Sequence, residues 1–122
     1  MMGWRDWFGL LAPMPEVEVR RSPEHQAEVD RQTQKLELYQ SVGCPYCVRV
    51  RRAIARLKLD IKLNDVIAES RHRDALIAGG GRRTVPCLLI TEDAGAVRWM
   101  YESRDIIAYL ESRFGGPHED DC

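Results

Sequence analysis

The sequence predicts an α/β fold, with a four-stranded mixed sheet flanked by helices and preceded by a helical extension. Three patterns lead to this prediction. Alternating apolar residues end at residue 40, just before a Cys-Pro-Tyr-Cys motif at residues 44–47, and helical spacing of apolar residues follows the motif. A second short strand and a helix come next. Two more short strands, separated by a turn, precede a final amphipathic segment. The predicted order is β-α-β-α-β-β-α.

The predicted elements follow one another along residues 35–115. The first strand covers residues 35–40, and the next helix reaches about residue 59 with an apolar face at Cys47, Val50, Ile54 and Leu57. The remaining elements are a strand at residues 61–66, a helix at 69–78 that three glycines end, a strand at 88–90, its hairpin partner at 97–100, and a helix at 103–114 capped by Ser103. A strand, a helix and a second strand predict a parallel, right-handed pair, and the hairpin adds two antiparallel strands. This is a thioredoxin-like layout.

Residues 1–34 are predicted to be an extension of the domain at residues 35–115, and residues 116–122 a disordered acidic tail. Four apolar residues of the extension share one helical face, at Trp4, Trp7, Phe8 and Leu11. This face predicts a peripheral contact with a membrane or a partner, or else it covers part of the protein's own core. Ser22 and Pro23 then begin a polar surface helix.

The composition narrows the class of protein. A chain of 122 residues that is 44% hydrophobic and 30% charged is typical of a single globular domain. The formal net charge of −1 gives no support to nucleic-acid binding. No stretch is apolar for long enough to span a bilayer, and the N-terminal apolar run is short for a secretory signal. We therefore expect a cytoplasmic protein, and we expect a monomer.

The Cys-Pro-Tyr-Cys motif lies at a strand-to-helix junction, which predicts dithiol/disulfide chemistry. At the first turn of a helix, Cys44 faces free backbone N–H groups and the positive end of the helix dipole, which favour a thiolate over a thiol. Pro45 suits the first helical position because its missing N–H would have no partner there. Cys44 is the predicted nucleophile. Cys47, one turn further, is close enough to form a disulfide with it.

Other uses of the two cysteines fit the sequence less well. A zinc site needs a second pair of ligands at short spacing, but the other cysteines are isolated and the histidines are scattered. A structural disulfide across so short a loop would constrain the unfolded chain little. No metal site is therefore predicted. Among the arginines after the motif, Arg49 is expected to support the thiolate and attract an anionic substrate, whereas the distal arginines are expected to form a solvated face.

Three motifs occur in the order found in glutaredoxins: Cys-Pro-Tyr-Cys at residues 44–47, Thr-Val-Pro at residues 84–86, and Tyr-Glu-Ser-Arg-Asp at residues 101–105. From about residue 35 to residue 114 the chain therefore resembles a dithiol glutaredoxin. The resemblance implies a cis peptide bond before Pro86 and a backbone contact from Val85 to bound glutathione. It also implies that Thr84 belongs to the glutathione-binding residues.

Glutathione carries two carboxylates and an amine, so its site requires cations, an acid and a helix N-terminus. The helix start at Ser103 offers N–H groups and a hydroxyl to the γ-glutamyl carboxylate. Glu102 or Asp105 can meet the amine. Helix capping is the alternative role for Ser103 and Asp105, and it is compatible with ligand binding.

The glycyl carboxylate of glutathione requires a cation on the other side of the site. Arg82 or Arg83 can meet this carboxylate through two parallel hydrogen bonds, and Tyr46 can pack beside the tripeptide. The alternative for the two arginines is that they are solvated loop charges.

The last motif departs from the glutaredoxin pattern. Glutaredoxins often have Gly-Gly and paired acids where this chain has Tyr101-Glu102 and Arg104-Asp105. The Glu102-Ser103 pair instead looks like the glutathione-contacting pair of glutathione transferase N-terminal domains. Transferases add an all-helical second domain, and because this chain ends soon after the last predicted helix, a full transferase is not expected.

The remaining two cysteines stand apart from the motif. Cys87 directly follows Pro86, and we expect it to be a small buried residue, with glutathionylation or a regulatory disulfide as alternatives. Cys122 has no assignable role.

These observations predict a glutathione-dependent thiol-disulfide oxidoreductase that acts on glutathionylated or disulfide-bonded proteins, with Cys44 as nucleophile and Cys47 as resolving thiol. Glutathione is the reducing co-substrate. Two alternatives are a non-enzymatic module that binds glutathione or a partner, and an iron–sulfur cluster carrier that bridges two chains through Cys44 and glutathione.

Overall fold

The computed structural model describes residues 19–115, which form eight helices and strands. In chain order these are α1 (Pro23–Thr33), β1 (Leu36–Gln40), α2 (Pro45–Arg56), β2 (Lys62–Asp65), α3 (Ser70–Gly80), β3 (Cys87–Thr91), β4 (Val97–Tyr101) and α4 (Ser103–Phe114). The predicted apolar face at Trp4, Trp7, Phe8 and Leu11, the acidic tail and Cys122 lie outside the described residues. Between residues 19 and 115, no helix has the length and apolar character needed to cross a bilayer.

The four strands form one mixed sheet in the order β2-β1-β3-β4. β1 and β2 are parallel, whereas β3 is antiparallel to both β1 and β4. This confirms the predicted four-stranded mixed sheet flanked by helices. The register places Tyr39 opposite Cys87, and Cys87 opposite Tyr101. The end of β1, the start of β3 and the end of β4 therefore meet at one edge of the sheet.

The larger core lies on the sheet face that α2 and α4 cover. Its buried side chains include Leu36, Leu38, Leu88 and Ile90 from the strands, Val50 and Ile54 from α2, and Ile106 and Leu110 from α4. Val19 and Val29 belong to the same core, and the Val19 N–H donates to the Arg56 carbonyl at 3.2 Å. The described residues that precede β1 therefore pack against the sheet and α2. Ser22 begins α1 as predicted, because its hydroxyl accepts the His25 N–H.

The opposite sheet face is covered by α3, which ends two residues later than the sequence predicts. Gly79 and Gly80 are helical, and Gly81 ends the helix with φ of 90°. A Cβ atom added to Gly79 would lie 2.1 Å from the ring of Trp99, and one added to Gly80 would lie 2.1 Å from the Tyr101 hydroxyl oxygen. The two glycines are therefore needed for close contact between α3 and the aromatic side chains of β4, and only Gly81 serves as the helix end.

The start of α4 also differs from the predicted one. Ser103 is the first helical residue, and Glu102 occupies the N-cap position without a side-chain capping bond. β4 ends at Tyr101, so Glu102 alone makes the turn from strand to helix, and it does so at φ of 79° and ψ of 112°. Few non-glycine residues adopt such a positive φ. The sequence pattern placed the cap one residue too late because it did not reveal so short a connection.

The glycine contacts predict that Gly79→Ala destabilises the protein. A methyl group at this position overlaps the Trp99 ring, which typically costs about 1 to 3 kcal/mol. The better helix propensity of alanine offsets about 1 kcal/mol of this cost. Urea unfolding followed by circular dichroism should show a lower midpoint. Gly43→Ala is the matched control, because nothing lies within 4 Å of its added Cβ. Equal stability of the Gly79→Ala variant and the wild type would contradict the close contact.

Candidate active site

Cys44 occupies the N-cap position of α2, directly before Pro45 at the first helical position. Its backbone is extended, with φ of −81° and ψ of 122°, and its carbonyl accepts the first helical N–H, from Val48, at 3.0 Å. The side chain of an N-cap residue normally accepts a hydrogen bond from the next N–H groups of the helix. Here a partly buried sulfur occupies this position. It makes no capping hydrogen bond, but the N–H groups of Tyr46 and Cys47 still favour its thiolate.

The surroundings of Cys44 lower the pKa of its thiol below the ordinary value. Burial opposes this shift, but four groups from three neighbouring residues outweigh the effect of burial. They are the backbone N–H and the thiol of Cys47, the backbone N–H of Tyr46, and the charge of Arg51. Three of these are hydrogen-bond donors that stabilise the thiolate more than the thiol. The helix N-terminus therefore favours the thiolate form of Cys44.

The pKa of the Cys47 thiol is shifted in the opposite direction. Its side chain is fully buried, and burial, together with the neighbouring Cys44 sulfur, raises the pKa of the Cys47 thiol to about 12. Cys47 consequently stays protonated while Cys44 is a thiolate, and it donates a hydrogen bond to the Cys44 sulfur. The asymmetry favours Cys44 as the attacking sulfur.

Arg51 lies close to the cysteine pair, although the sequence pattern did not indicate it. Its guanidinium donates to the Gln40 side-chain oxygen, to the Ser41 carbonyl at 3.2 Å and to the Val42 carbonyl at 3.1 Å. The loop before Cys44 is thus bonded to α2. Helical spacing is the signal that could have found Arg51, because residues 44, 47 and 51 share one face of the helix.

Arg49, which was expected to support the thiolate, lies over the Tyr46 ring instead. Its guanidinium carbon is 5.5 Å from the centre of the Tyr46 ring, a cation–π geometry. Arg51, not Arg49, is the arginine that contributes to the lowered pKa of Cys44. Arg49 instead adds positive charge to the wall of a neighbouring cleft.

This cleft has a volume of about 400 Å³ and lies between the start of α2, the start of β3 and the start of α4. Its lining residues are Tyr46, Arg49, Thr84, Val85, Pro86, Glu102, Ser103 and Arg104. The peptide bond between Val85 and Pro86 is cis, as the resemblance implied. Six predicted ligand residues line the cleft, whereas Arg83 and Asp105 are exposed and do not line it. Arg104 lines it although the sequence analysis had not selected it.

The N-terminus of α4 forms one end of the cleft. Ser103 is nearly buried, and the side chain of Glu102 does not cap the first N–H groups of the helix. Those N–H groups and the helix dipole make this end attractive to a carboxylate. The cleft therefore combines an anion-binding helix end, two cations at Arg49 and Arg104, and one acid at Glu102.

Arg82 and Cys87 lie on the α3 side of the sheet rather than in the cleft. The Arg82 guanidinium stacks on the Tyr101 ring at 4.1 Å, and the Tyr101 hydroxyl donates to the Arg82 carbonyl at 2.8 Å. Cys87 is fully buried, as expected, and burial raises the pKa of its thiol to about 11. These properties make Cys87 a poor nucleophile. Within residues 19–115, no three His, Cys, Asp or Glu side chains form a group that could hold a metal ion.

Comparison with known proteins identifies the family. The sequence profile of the glutathione S-transferase N-terminal domain matches residues 38–118. The chain belongs to this family. The match includes the Cys-Pro-Tyr-Cys motif, the cis-proline and the Glu102-Ser103 pair. No curated protein sequence gives a significant match.

Several solved structures resemble the chain. The trimeric glutathione transferase TDR1 of Leishmania is 27% identical with a TM-score of 0.56, over 67% of this chain. Glutathione transferase E6 of Drosophila melanogaster is 29% identical with a TM-score of 0.51, over 66% of this chain. Maleylacetoacetate isomerase of Anaeromyxobacter dehalogenans is 27% identical with a TM-score of 0.52, over 68% of this chain, and its structure contains dicarboxyethyl glutathione and citrate in the active site.

The chain spans only part of the length of those proteins, namely 18% of transferase TDR1, 35% of transferase E6 and 38% of the isomerase. Wheat glutaredoxin is covered more completely, at 89% of its length and 80% of this chain, with 22% identity and a TM-score of 0.50. This last likeness concerns the fold alone. It agrees with the predicted thioredoxin-like fold.

The electrostatics of the three described cysteines predict their order of alkylation. Iodoacetamide should modify Cys44 first at pH 7, at least about tenfold faster than Cys47 or Cys87, because each unit of pKa changes the thiolate fraction tenfold. The Cys44 rate should also level off at a lower pH than that of an unfolded cysteine, because its lowered pKa completes thiolate formation earlier. Peptide mapping by mass spectrometry of the reduced protein measures these rates. In denaturant the three rates should converge, and equal native rates would disprove the assignment.

Proposed function

We propose that the protein is a glutathione-dependent thiol-disulfide oxidoreductase of the glutaredoxin type. The observation that carries the proposal is the Cys44 sulfur, whose pKa is lowered at the N-terminus of α2, next to a cleft with charges suited to glutathione. Family membership supports glutathione as the ligand, and glutathione-containing structures among the similar proteins support it further.

In the first step, the Cys44 thiolate attacks the glutathionyl sulfur of a mixed disulfide. A bond forms between the Cys44 sulfur and the glutathione sulfur, and the substrate protein leaves as a thiolate that takes up a proton. A second glutathione, as thiolate, then attacks the glutathione sulfur bound to Cys44. This releases glutathione disulfide and restores the Cys44 thiolate. In sum, one glutathione and the mixed disulfide are converted to the substrate thiol and glutathione disulfide.

Protein disulfides follow the same first step but need a second thiol. Attack by Cys44 leaves the substrate bound to it by a disulfide and frees one substrate thiol. Cys47 then attacks the Cys44 sulfur, which releases the second substrate thiol and forms the Cys44–Cys47 disulfide. Two glutathione molecules reduce that disulfide. The position of Cys47, within hydrogen-bond contact of the Cys44 sulfur, supports this role.

The bound glutathione is proposed to lie along the cleft. Its γ-glutamyl carboxylate meets the α4 N-terminus at Ser103, and its amine meets Glu102. The cysteinyl part pairs with the Val85 backbone beside Pro86, next to Thr84. The glycyl carboxylate meets Arg49 near Tyr46, because Arg49 lines the cleft whereas Arg83 does not. Arg83 and Asp105 remain candidates for contacts at the rim.

Serine variants test the two cysteine roles. Cys44→Ser should reduce a glutathione mixed disulfide no faster than the uncatalysed reaction, because a hydroxyl at this position is not ionised at neutral pH. Cys47→Ser should retain this reaction but lose reduction of protein disulfides. A coupled assay with glutathione and glutathione reductase measures both reactions. Loss in Cys47→Ser but not in Cys44→Ser would reverse the assignment.

Two measurements test the other predicted functions, the coupled assay for a binding module and visible absorption for a cluster carrier. Wild-type activity equal to that of the Cys44→Ser/Cys47→Ser double variant would favour a non-enzymatic module that binds glutathione or a partner. Visible absorption after anaerobic reconstitution with iron and sulfide would favour an iron–sulfur cluster carrier.

A glutathione transferase reaction is the second candidate function, because the family match favours it. In that reaction the site would hold the glutathione thiolate for attack on an electrophile. Conjugation of 1-chloro-2,4-dinitrobenzene measures this activity. Conjugation that persists in Cys44→Ser, together with absent disulfide reduction in the wild type, would favour the transferase over the oxidoreductase.

Because Glu102 has a positive φ, a pair of substitutions can separate its role in binding from its effect on stability. Glu102→Ala and Glu102→Gly both remove the carboxylate proposed to meet the glutathione amine, so both should weaken glutathione binding roughly tenfold. Only Glu102→Gly also relieves the backbone strain at φ of 79°. The glycine variant should therefore unfold at higher urea concentration than the alanine variant. Calorimetric titration and urea unfolding measure the two effects, and unchanged affinity in both variants would refute the contact with the amine.

A further inference from the structure

The loop between β1 and α2 is held by one side chain, Arg51. Arg51 lies within two turns of the start of α2. Its guanidinium donates to three acceptors, on Gln40, Ser41 and Val42. Gln40 is nearly buried, and its carbonyl accepts the Val66 N–H at 3.0 Å. The guanidinium therefore joins α2 to the ordered end of the sheet across the loop that carries the nucleophile.

Ser41 is the centre of this arrangement. Its carbonyl accepts both the Arg51 guanidinium, at 3.2 Å, and the Cys44 N–H, at 3.3 Å. The Ser41 backbone also makes a hydrogen bond with the Cys47 sulfur. Ser41 thus contacts both residues of the cysteine pair, the Cys44 N–H through its carbonyl and the Cys47 sulfur through its N–H, and Arg51 bonds to the same carbonyl.

We propose that Arg51 is a positioning residue for the cysteine pair: by fixing Ser41 and its neighbours, it sets the place of the Cys44 sulfur relative to the N–H groups of α2. The inference rests on the proposed function in which Cys44 is the nucleophile. Arg51 acts in two ways, because its hydrogen bonds order the loop and its charge favours the thiolate. Lysine can replace the charge but not the planar fork that serves three acceptors at once.

Other charged groups surround the cysteine pair. Asp65, the last residue of β2, accepts the Ala68 and Ile67 N–H groups at 2.9 Å. These bonds, together with Arg51 and His72, lower the pKa of its carboxyl. Its carboxylate therefore offsets part of the Arg51 charge. Arg49 lies over the Tyr46 ring, and across the cleft are Glu102 and Arg104. None of these four groups replaces the bonds from Arg51 to the loop.

The test compares Arg51→Gln and Arg51→Lys with Arg52→Gln, in which an exposed arginine of the same helix loses its charge. Two readouts are used: the rate of Cys44 alkylation by iodoacetamide across pH 5 to 9, and the hydrogen exchange of the Cys44 amide. The second readout reports on the Cys44 N–H bond to Ser41 and does not depend on the thiol. If Arg51→Gln does not fold, both readouts are compared between Arg51→Lys and the wild type alone.

In Arg51→Gln, alkylation of Cys44 at pH 6 should slow about threefold, because loss of a nearby cation and of loop order both disfavour the thiolate. In Arg51→Lys it should also slow, and the Cys44 amide should exchange faster in both variants. Arg52→Gln should match the wild type. Wild-type alkylation in Arg51→Lys, unchanged amide exchange, or equal changes in Arg52→Gln would overturn the proposal.

Disulfide reduction by the same variants separates this inference from the proposed function. If the alkylation and exchange effects appear but the wild type reduces no glutathione mixed disulfide, the oxidoreductase function is wrong and the role of Arg51 stands. If the wild type reduces mixed disulfides but the Arg51 variants behave as wild type in both readouts, the function stands and the role of Arg51 is wrong.

Discussion

The site depends on the placement of a sulfur at the N-cap of α2. Because Cys44 takes this position, the backbone N–H groups of Tyr46 and Cys47 stabilise its thiolate, and their effect outweighs the cost of burial. The parallel pairing of β1 and β2 makes this geometry possible. A parallel connection must return across the sheet, and α2 provides the crossover, so its positive end lies where β1 ends.

The register of the sheet explains why the cleft lies beside Cys44. Tyr39, Cys87 and Tyr101 are successive partners across β1, β3 and β4. The residues that follow β1, precede β3 and follow β4 therefore converge at one edge. Two helix N-termini, of α2 and α4, meet there with the cis-proline segment between them. The Cys44 thiolate and a carboxylate of a ligand in the adjacent cleft can consequently be stabilised by the same physical effect, each at one helix N-terminus.

The sequence predicted the fold and the motif residues because both depend on local patterns. Alternation and helical spacing indicated the strands and helices, and a proline after Cys44 indicated a helix start. The features it did not predict depend on contacts between distant elements. The glycine at position 79 makes room for the Trp99 ring of a distant strand, and Glu102 alone forms the turn between β4 and α4. Helical spacing alone could indicate Arg51, because two of its three acceptors are loop carbonyls, which carry no sequence signal.

In the proposed reaction, the coupling between the two thiols orders the steps. The Cys44 sulfur is one of the causes that raise the pKa of Cys47, both through its charge and through the hydrogen bond it accepts. While Cys44 is a thiolate, Cys47 therefore remains a protonated donor and does not compete for the substrate. Once Cys44 enters a mixed disulfide, its charge is gone and that contribution disappears, although burial still opposes ionisation. Deprotonation of Cys47 becomes easier only when a disulfide is present for it to resolve.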